Sequence, residues 1–369
     1  MLHLMASSHY TTIMISFLML ISSVPTTAAR HELPSLTIPR RGVPVPSFPS
    51  PRLMAAFGNP KYFTDKYIPA GKPGVVLKVP NFDVLFDHIS NVSPLARQAM
   101  TEDNPGGIKA IDNAADVYKW KVTDSNSKRL VSHIDKIDNF QDKGVPLLRF
   151  RSALQGPSKK RGQCFSELVS VSDLRQKWDA TNAMVDTIYS AASLDDVKKH
   201  DGNKYGEPSL FGIGYVKTKQ SVVSPREQLM LCGVQNFPSG AAIIWGVELE
   251  EDQNHLFPED QKRTPRSTSH IFSSTLIPTG EDTFDVEYVI QLEVGGLPGW
   301  LTGLAVTETI KKMFRFADGY FQSGLDGGDL AKRLALMPDD EEVADPEEIP
   351  SDSTVSGVLD HKQTLLMPP

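Results

Sequence analysis

A chain of 369 residues with nine histidines, two cysteines and a dense run of acids has raw material for catalysis, but none of it is arranged for catalysis. No histidine has a second one four residues on, so the helix-borne zinc pair of the metalloproteases is absent. Gly212-Ile213-Gly214 lacks the third glycine of a dinucleotide loop, and Gly71-Lys72 runs into Pro73 where a phosphate loop needs Ser or Thr. Ser239 has no glycine two residues before it, as a nucleophile elbow requires. The stretch from Asp339 to Glu348 holds seven acids and no base. It lacks the alternating Asp/Asn and central Gly of a calcium loop and reads as a solvated tail. Tyr288 with His270 is the one pair that can be nominated for acid–base work, and no spacing supports it. The expectation is a protein that is not an enzyme, with no catalytic residue, no metal and no cofactor.

The elements that would position any site lie in the middle of the chain. Apolar residues make up 40% and charged residues 22%, which excludes collagen-like, coiled-coil and multi-span membrane classes. The net charge of −7 is matched by the acid run alone, so the body is near neutral and offers no footprint for nucleic acid. Residues 1–29 read as a signal peptide: an apolar run from Ile13 to Val24, then small residues ending at Ala28-Ala29. This places the protein in the secretory pathway or outside the cell. The n-region carries only His3 and His9 and no Lys or Arg, which keeps a cytoplasmic alternative open. Residues 30–81 are rich in proline and read as a linker or wrap, and residues 325–369 read as an acidic disordered tail. Cys164 and Cys232 lie in apolar stretches and read as two free thiols, and Asn91-Val92-Ser93 is a sequon that matters only if the signal operates.

Residues 82–324 read as the folded domain. Phe82, Val84, Leu85 and Ile89 predict a short amphipathic helix. Strand-like stretches follow at 130–137, 147–154 and 164–169, then one helix starting at Ser172-Asp173 and carrying Leu174, Trp178, Ala183 and Ile188. A strand series at 210–219, 227–237, 241–250, 271–277 and 284–294 has short connections, which imply antiparallel neighbours. In the last, Phe284, Val286, Tyr288, Ile290 and Leu292 alternate with Asp285, Glu287, Gln291 and Glu293, predicting one wet face. After Pro298 a long helix begins, with Val306, Ile310, Met313, Ala317 and Phe321 on one stripe. A curved antiparallel sheet closed by such a helix either fills with side chains or encloses a cavity.

Five short motifs in order strengthen this architecture. They are Gly144-Val145-Pro146-Leu147-Leu148, Lys177-Trp178-Asp179, Ser224-Pro225-Arg226-Glu227, Tyr288-Val289-Ile290-Gln291 and Leu297-Pro298-Gly299-Trp300-Leu301. Across residues 82–321 the chain resembles the START (steroidogenic acute regulatory protein-related lipid transfer) domains. The resemblance implies an α+β helix-grip fold (START/Bet v1-like), a curved antiparallel sheet closed by a long C-terminal helix around a hydrophobic tunnel. It also implies one bound hydrophobic ligand, such as a phospholipid or sphingolipid. Helix-grip enzymes of cyclase or hydrolase type, and interaction modules that bind no ligand, are the alternatives. Some sterol-carrying members have a pocket arginine six residues beyond the motif arginine. Cys232 stands there, which argues against a sterol-type or charge-anchored site.

Strand parity and the resemblance together nominate a lining of Met230, Cys232, Val234, Phe284, Val286, Tyr288, Ile290, Leu292, Val306, Ile310 and Met313. The terminal helix and the loop at 254–267 are the expected lid, with Leu256, Phe257, Arg266 and Trp300 as its membrane-contacting residues. The expected partners are a lipid ligand and a transient membrane surface, without nucleic acid, for a protein that is a monomer. Arg226, Trp178 and Asp179 read as fold landmarks rather than ligand contacts.

Overall fold

The computed structural model describes residues 61–103, 118, 120–155, 172–201, 204–218, 224–257, 264–279, 283–324 and 332. The signal, the acidic tail, the strand expected at 164–169 and Cys164 lie outside the described residues.

Strands β1 (Phe63–Pro69) and β2 (Val76–Pro80) pair as an antiparallel hairpin. For residues 61–81 this corrects the reading of 30–81 as a linker without core; residues 30–60 lie outside the described residues. Phe63, Ile68, Leu77 and Val79 are all buried, on strands that Pro69 and Pro80 end rather than interrupt. Helix α1 (Phe82–Val92) follows at once, with Asn81 accepting from the Val84 amide at 3.3 Å and Asp83 in the first turn. Phe82, Leu85, Phe86 and Ile89 recur at helical spacing, and each is at most 3% exposed. Ser93 ends α1 and begins α2 (Pro94–Asp103), its hydroxyl accepting from the Ala96 amide at 3.0 Å.

The remaining strands form one nine-stranded sheet: β3 (Lys121–Ser125), β4 (Val131–Ile137), β5 (Leu147–Gln155), β6 (Asn182–Ser190), β7 (Glu207–Thr218), β8 (Glu227–Asn236), β9 (Ala242–Glu248), β10 (Ser267–Pro278) and β11 (Thr283–Val294). Their order is β3-β4-β5-β11-β10-β9-β8-β7-β6, antiparallel throughout. The last strand closes against β5, pairing Tyr288 with Phe150 and Ile290 with Leu148. Helix α3 (Ser172–Trp178) precedes β6, α4 (Leu194–Asp201) follows it, and α5 (Gly299–Gly324) ends the domain.

Both faces of the sheet are covered. One buries Phe284, Val286, Tyr288 and Ile290 against Val306, Ile310, Met313, Ala317 and Phe321 of α5, which is the stripe read from the sequence. The other buries Phe211, Trp245 and Val289 against the hairpin, α1, α2 and α4. The wet face expected on β11 holds at Asp285 and Glu293, which are exposed, and is corrected at Glu287 and Gln291. Glu287 is 2% exposed and Gln291 fully buried, because α2 and the turn after β4 lie over them. Glu287 accepts from the Ser93 hydroxyl at 2.7 Å, the Leu95 amide at 3.3 Å and Arg151 Nε at 2.7 Å. A buried carboxylate is tolerated only with such partners.

The helix expected to run past Ala183 and Ile188 is also corrected: α3 stops at Trp178. The Asp179 carboxylate accepts from the Thr181 amide at 3.1 Å and Asn182 Nδ2 at 2.6 Å, turning the chain out of the helix. Val185, Thr187, Ile188 and Tyr189 then favour the strand. Among the described residues no helix is long and apolar enough to cross a membrane.

Candidate ligand-binding site

Nine strands spaced about 4.8 Å apart span roughly 38 Å, whereas one helix with its side chains is about 10 Å wide. A single helix cannot cover that face, and α5 lies on β5 and β11, touching α3. Between α5 and the half of the sheet from β6 to β10 a cavity of about 140 Å³ remains. Its walls are mostly apolar: Val185, Leu210, Met230, Val234, Ile244, Phe272, Ile290, Ile310 and Met313. An engineered apolar cavity of about 150 Å³ holds a benzene-sized guest, and pre-formed ligand pockets run from about 300 Å³ upward. A longer guest therefore requires α5 to shift.

Glycine shapes this wall. A Cβ on Gly246 of β9 would run into the Phe272 ring and the Met230 sulfur, so its absence lets both side chains lie flat on the sheet. A Cβ on Gly299 would collide with the Gly144 carbonyl, which explains how tightly the start of α5 seats against the loop before β5.

Of the nominated lining, Met230, Cys232, Val234, Tyr288, Ile290, Ile310 and Met313 border the cavity. Phe284, Val286, Leu292 and Val306 do not, and this corrects their assignment to the lining. They share its face but pack into solid core, Phe284 against Phe321 with ring centroids 5.7 Å apart. Burial pushes the Cys232 thiol up to about 12, and its Sγ donates to the Gly212 carbonyl at 3.4 Å, so it is an inert wall group. Burial likewise raises the Tyr288 hydroxyl to about 12, with Arg175 opposing and Asp179 adding to the rise. His270 does not border the cavity. Its Nδ1 meets Glu248 Oε2 at 2.6 Å, so the pair nominated for acid–base work is not brought together.

The lid residues separate as well. Leu256 is 6% exposed within the core on the opposite face of the sheet, because the 3-10 turn Glu251–Leu256 folds it back; it is not a lid residue. Phe257 packs half-buried at the rim of that core, its ring 3.6 Å beneath the Arg266 guanidinium, which is half exposed and 3.7 Å from Glu227. Residues 258–263 of the expected lid loop lie outside the described residues. Trp300 is 70% exposed; with Leu304, Gly303 and Pro146 it lines an outer groove of about 630 Å³.

Sequence reasoning missed Gln228 and Ser269, which border the cavity, and everything contributed by β6. Gln228 was recoverable, since it shares strand parity with Met230. The β6 residues were lost with the misread helix.

The motif residues act as joints. Trp178 is core, and Arg175 holds Asp179 at 3.1 Å. Arg226 donates to the Gly295 carbonyl at 3.1 and 3.2 Å, fastening β8 to the turn that launches α5. Gln291 donates to the Phe140 carbonyl at 2.7 Å. A nine-stranded antiparallel sheet gripped by a C-terminal helix, with the hollow between them, decides the architecture. The fold is a helix-grip.

No family model and no curated protein matches the sequence. Among solved structures, human StAR-related lipid transfer protein 5 aligns with a TM-score of 0.45 at 14% identity, over 62% of this chain and 98% of that one. Human STARD10 aligns at 0.43 and 16% identity, over 59% and 78%. A STAR-related lipid transfer protein from Xanthomonas axonopodis aligns at 0.40 and 14% identity, over 55% and 98%. The helix-grip assignment itself rests on strand order and the closing helix.

Proposed function

We propose that this START-like domain binds one hydrophobic ligand, a lipid, between its sheet and α5, and carries it without chemical change. The observation that carries the reading is the apolar cavity left where α5 cannot reach β6 to β8. Burying each methylene is worth about 0.8 kcal/mol, a gain a membrane offers equally, so transfer needs only a matching cavity and a moving lid. In this reading α5 is the lid, and exposed Trp300 and Leu304 near its start meet the membrane surface. The N-terminal signal, which would send the carrier into the secretory pathway, belongs to the same proposal, and N-terminal sequencing of the mature protein tests it.

The decisive experiment incubates the purified full chain with vesicles carrying fluorescent lipid. The expected result is extraction approaching one molecule per chain, reduced at least fivefold by Ile290→Trp with the circular dichroism spectrum intact. Absence of extraction for every lipid class would refute the reading. The small cavity favours a second reading, an interaction module that takes no ligand. That outcome is recognised by full folding with no lipid co-purifying or extracted.

A further inference from the structure

The cavity is not uniformly apolar, and its two buried, unpartnered polar atoms lie at one end of it. Gln228 is 7% exposed and Ser269 is fully buried; both border the cavity, and neither Gln228 Nε2 nor Ser269 Oγ has a hydrogen-bond partner. They sit on β8 and β10, which β9 separates. The ladders end with Met230 opposite Glu248 and Ile271 opposite Val247, so Gln228 and Ser269 both lie just past the end of β9. There the outer strands approach each other, as the bridge between Glu227 and Arg266 records. Thr218 and Thr309 line the same cavity with hydroxyls already engaged, on the Arg226 carbonyl at 3.3 Å and the Ala305 carbonyl at 2.8 Å.

An unmade hydrogen bond at a buried amide or hydroxyl costs about 1–3 kcal/mol, and ordinary core positions avoid it. The charged residues that line the cavity, Arg175 and Asp186, enter from α3 and β6; Arg175 is engaged by Asp179, and Asp186 is itself an acid, so neither offers a free cation to an anionic guest. The unsatisfied groups that Gln228 and Ser269 present are therefore neutral donors and acceptors, with no free cation beside them.

We infer that Gln228 and Ser269 form the polar anchor of the ligand site and select an uncharged lipid carrying one hydroxyl or carbonyl oxygen. The inference rests on the carrier reading and deepens it. An amide side chain presents either a donor or an acceptor by turning over, and the serine hydroxyl does both, so together they satisfy one alcohol or ester oxygen. An anionic head would lose its hydration there without meeting a free cation. A bare hydrocarbon would leave both groups unpaired.

The test uses the full chain and three probes of equal chain length, 1-decanol, decane and decyl sulfate, each presented in phosphatidylcholine vesicles and quantified on the recovered protein. The expected result is uptake of decanol at least tenfold above the other two. Gln228→Leu and Ser269→Ala each lower the decanol-to-decane ratio about fivefold or more. Because they delete unsatisfied polar groups, both variants also keep or raise the ligand-free melting temperature, whereas residues of merely structural importance would lower it. Ser273→Ala is the control. Its hydroxyl is also buried and unpaired, but its pairing partners Trp245 and Val289 belong to the opposite core, so the ratio stays at the wild-type value. Equal uptake of decanol and decane, preference for decyl sulfate, or an unchanged ratio in both variants would overturn the anchor while leaving the carrier reading intact. Uptake of none of the probes would overturn the anchor, and would overturn the carrier reading as well if the vesicle extraction of every lipid class also failed.

Discussion

His88 occupies the buried face of α1, its ring 5.6 Å from that of Tyr62 and 5.7 Å from that of Phe140. The Tyr62 hydroxyl meets Nδ1, and Nε2 has no partner. Burial pushes its pKa down to about 4, against about 6.5 for an unfolded histidine. Between those values the unfolded chain binds a proton that the native state refuses. The contribution is therefore fully present above pH 6.5 and is lost as pH falls toward 4, by about 3 kcal/mol in all. His88→Phe keeps the ring and removes the proton site. Urea midpoints measured at pH 7 and pH 4.5 should converge in the variant relative to wild type, and parallel pH profiles would refute this assignment. Little of this was legible beforehand. His88 falls one residue before Ile89 on a stripe read from Phe82, Leu85 and Ile89, and only the rings of Tyr62 and Phe140 packed against that side of α1 make it core. Glu287 escaped for the same reason. A carboxylate alternating with apolar residues signals solvent, unless something else supplies Ser93 and Arg151 to meet it.

At the level of elements, periodicity was readable wherever one face stayed apolar over several repeats. Strands β7 to β11 and helix α5 were placed within a few residues, because alternation and the four-three-four stripe are long. The hairpin β1–β2 was not, because prolines at 60, 69, 73 and 80 surround strands of seven and five residues. Yet Leu77 and Val79 are at most 1% exposed. Leu77→Ala should cost about 2–5 kcal/mol in urea unfolding, the usual range for a fully buried leucine. A loss below about 0.5 kcal/mol would show that the hairpin is an ornament on a domain that starts at residue 82. The short helix α3 shows the opposite failure. Leu174, Trp178 and Ile188 fit a helix by spacing, but the hydrogen bonds of Asp179 to Thr181 and Asn182 overrule it.

For the whole molecule, the grip is lopsided. Helix α5 is seated at its start by the contact of Gly299 with Gly144 and along β5 and β11, while its other flank faces the cavity. It buries one face and leaves Trp300, Leu304 and Phe316 exposed, whereas β9 and β10 are packed on both faces. Hydrogen exchange followed by mass spectrometry should show α5 amides exchanging faster than those of β10, and slowing when lipid is loaded. Equal protection in the empty and loaded states would mean that α5 is not the moving part. The general shape of the site was legible from the order of motifs and strand parity. Its size was not, since volume depends on where a helix comes to rest on a sheet wider than itself.

The hairpin also meets the outermost strand of the sheet. The Gly71 amide donates to the Ser190 carbonyl at 2.9 Å, the Ala192 amide donates to the Pro69 carbonyl at 3.0 Å, and Ala70 bridges Ala191. These contacts occupy backbone groups that would otherwise point outward at the end of β6. Stripping away the segment that provides them would leave an unpaired rim, a ready template on which a second copy could add its own strand. The proline-flanked stretch thus also guards against self-association, so damage to it would show as aggregation as well as lost stability.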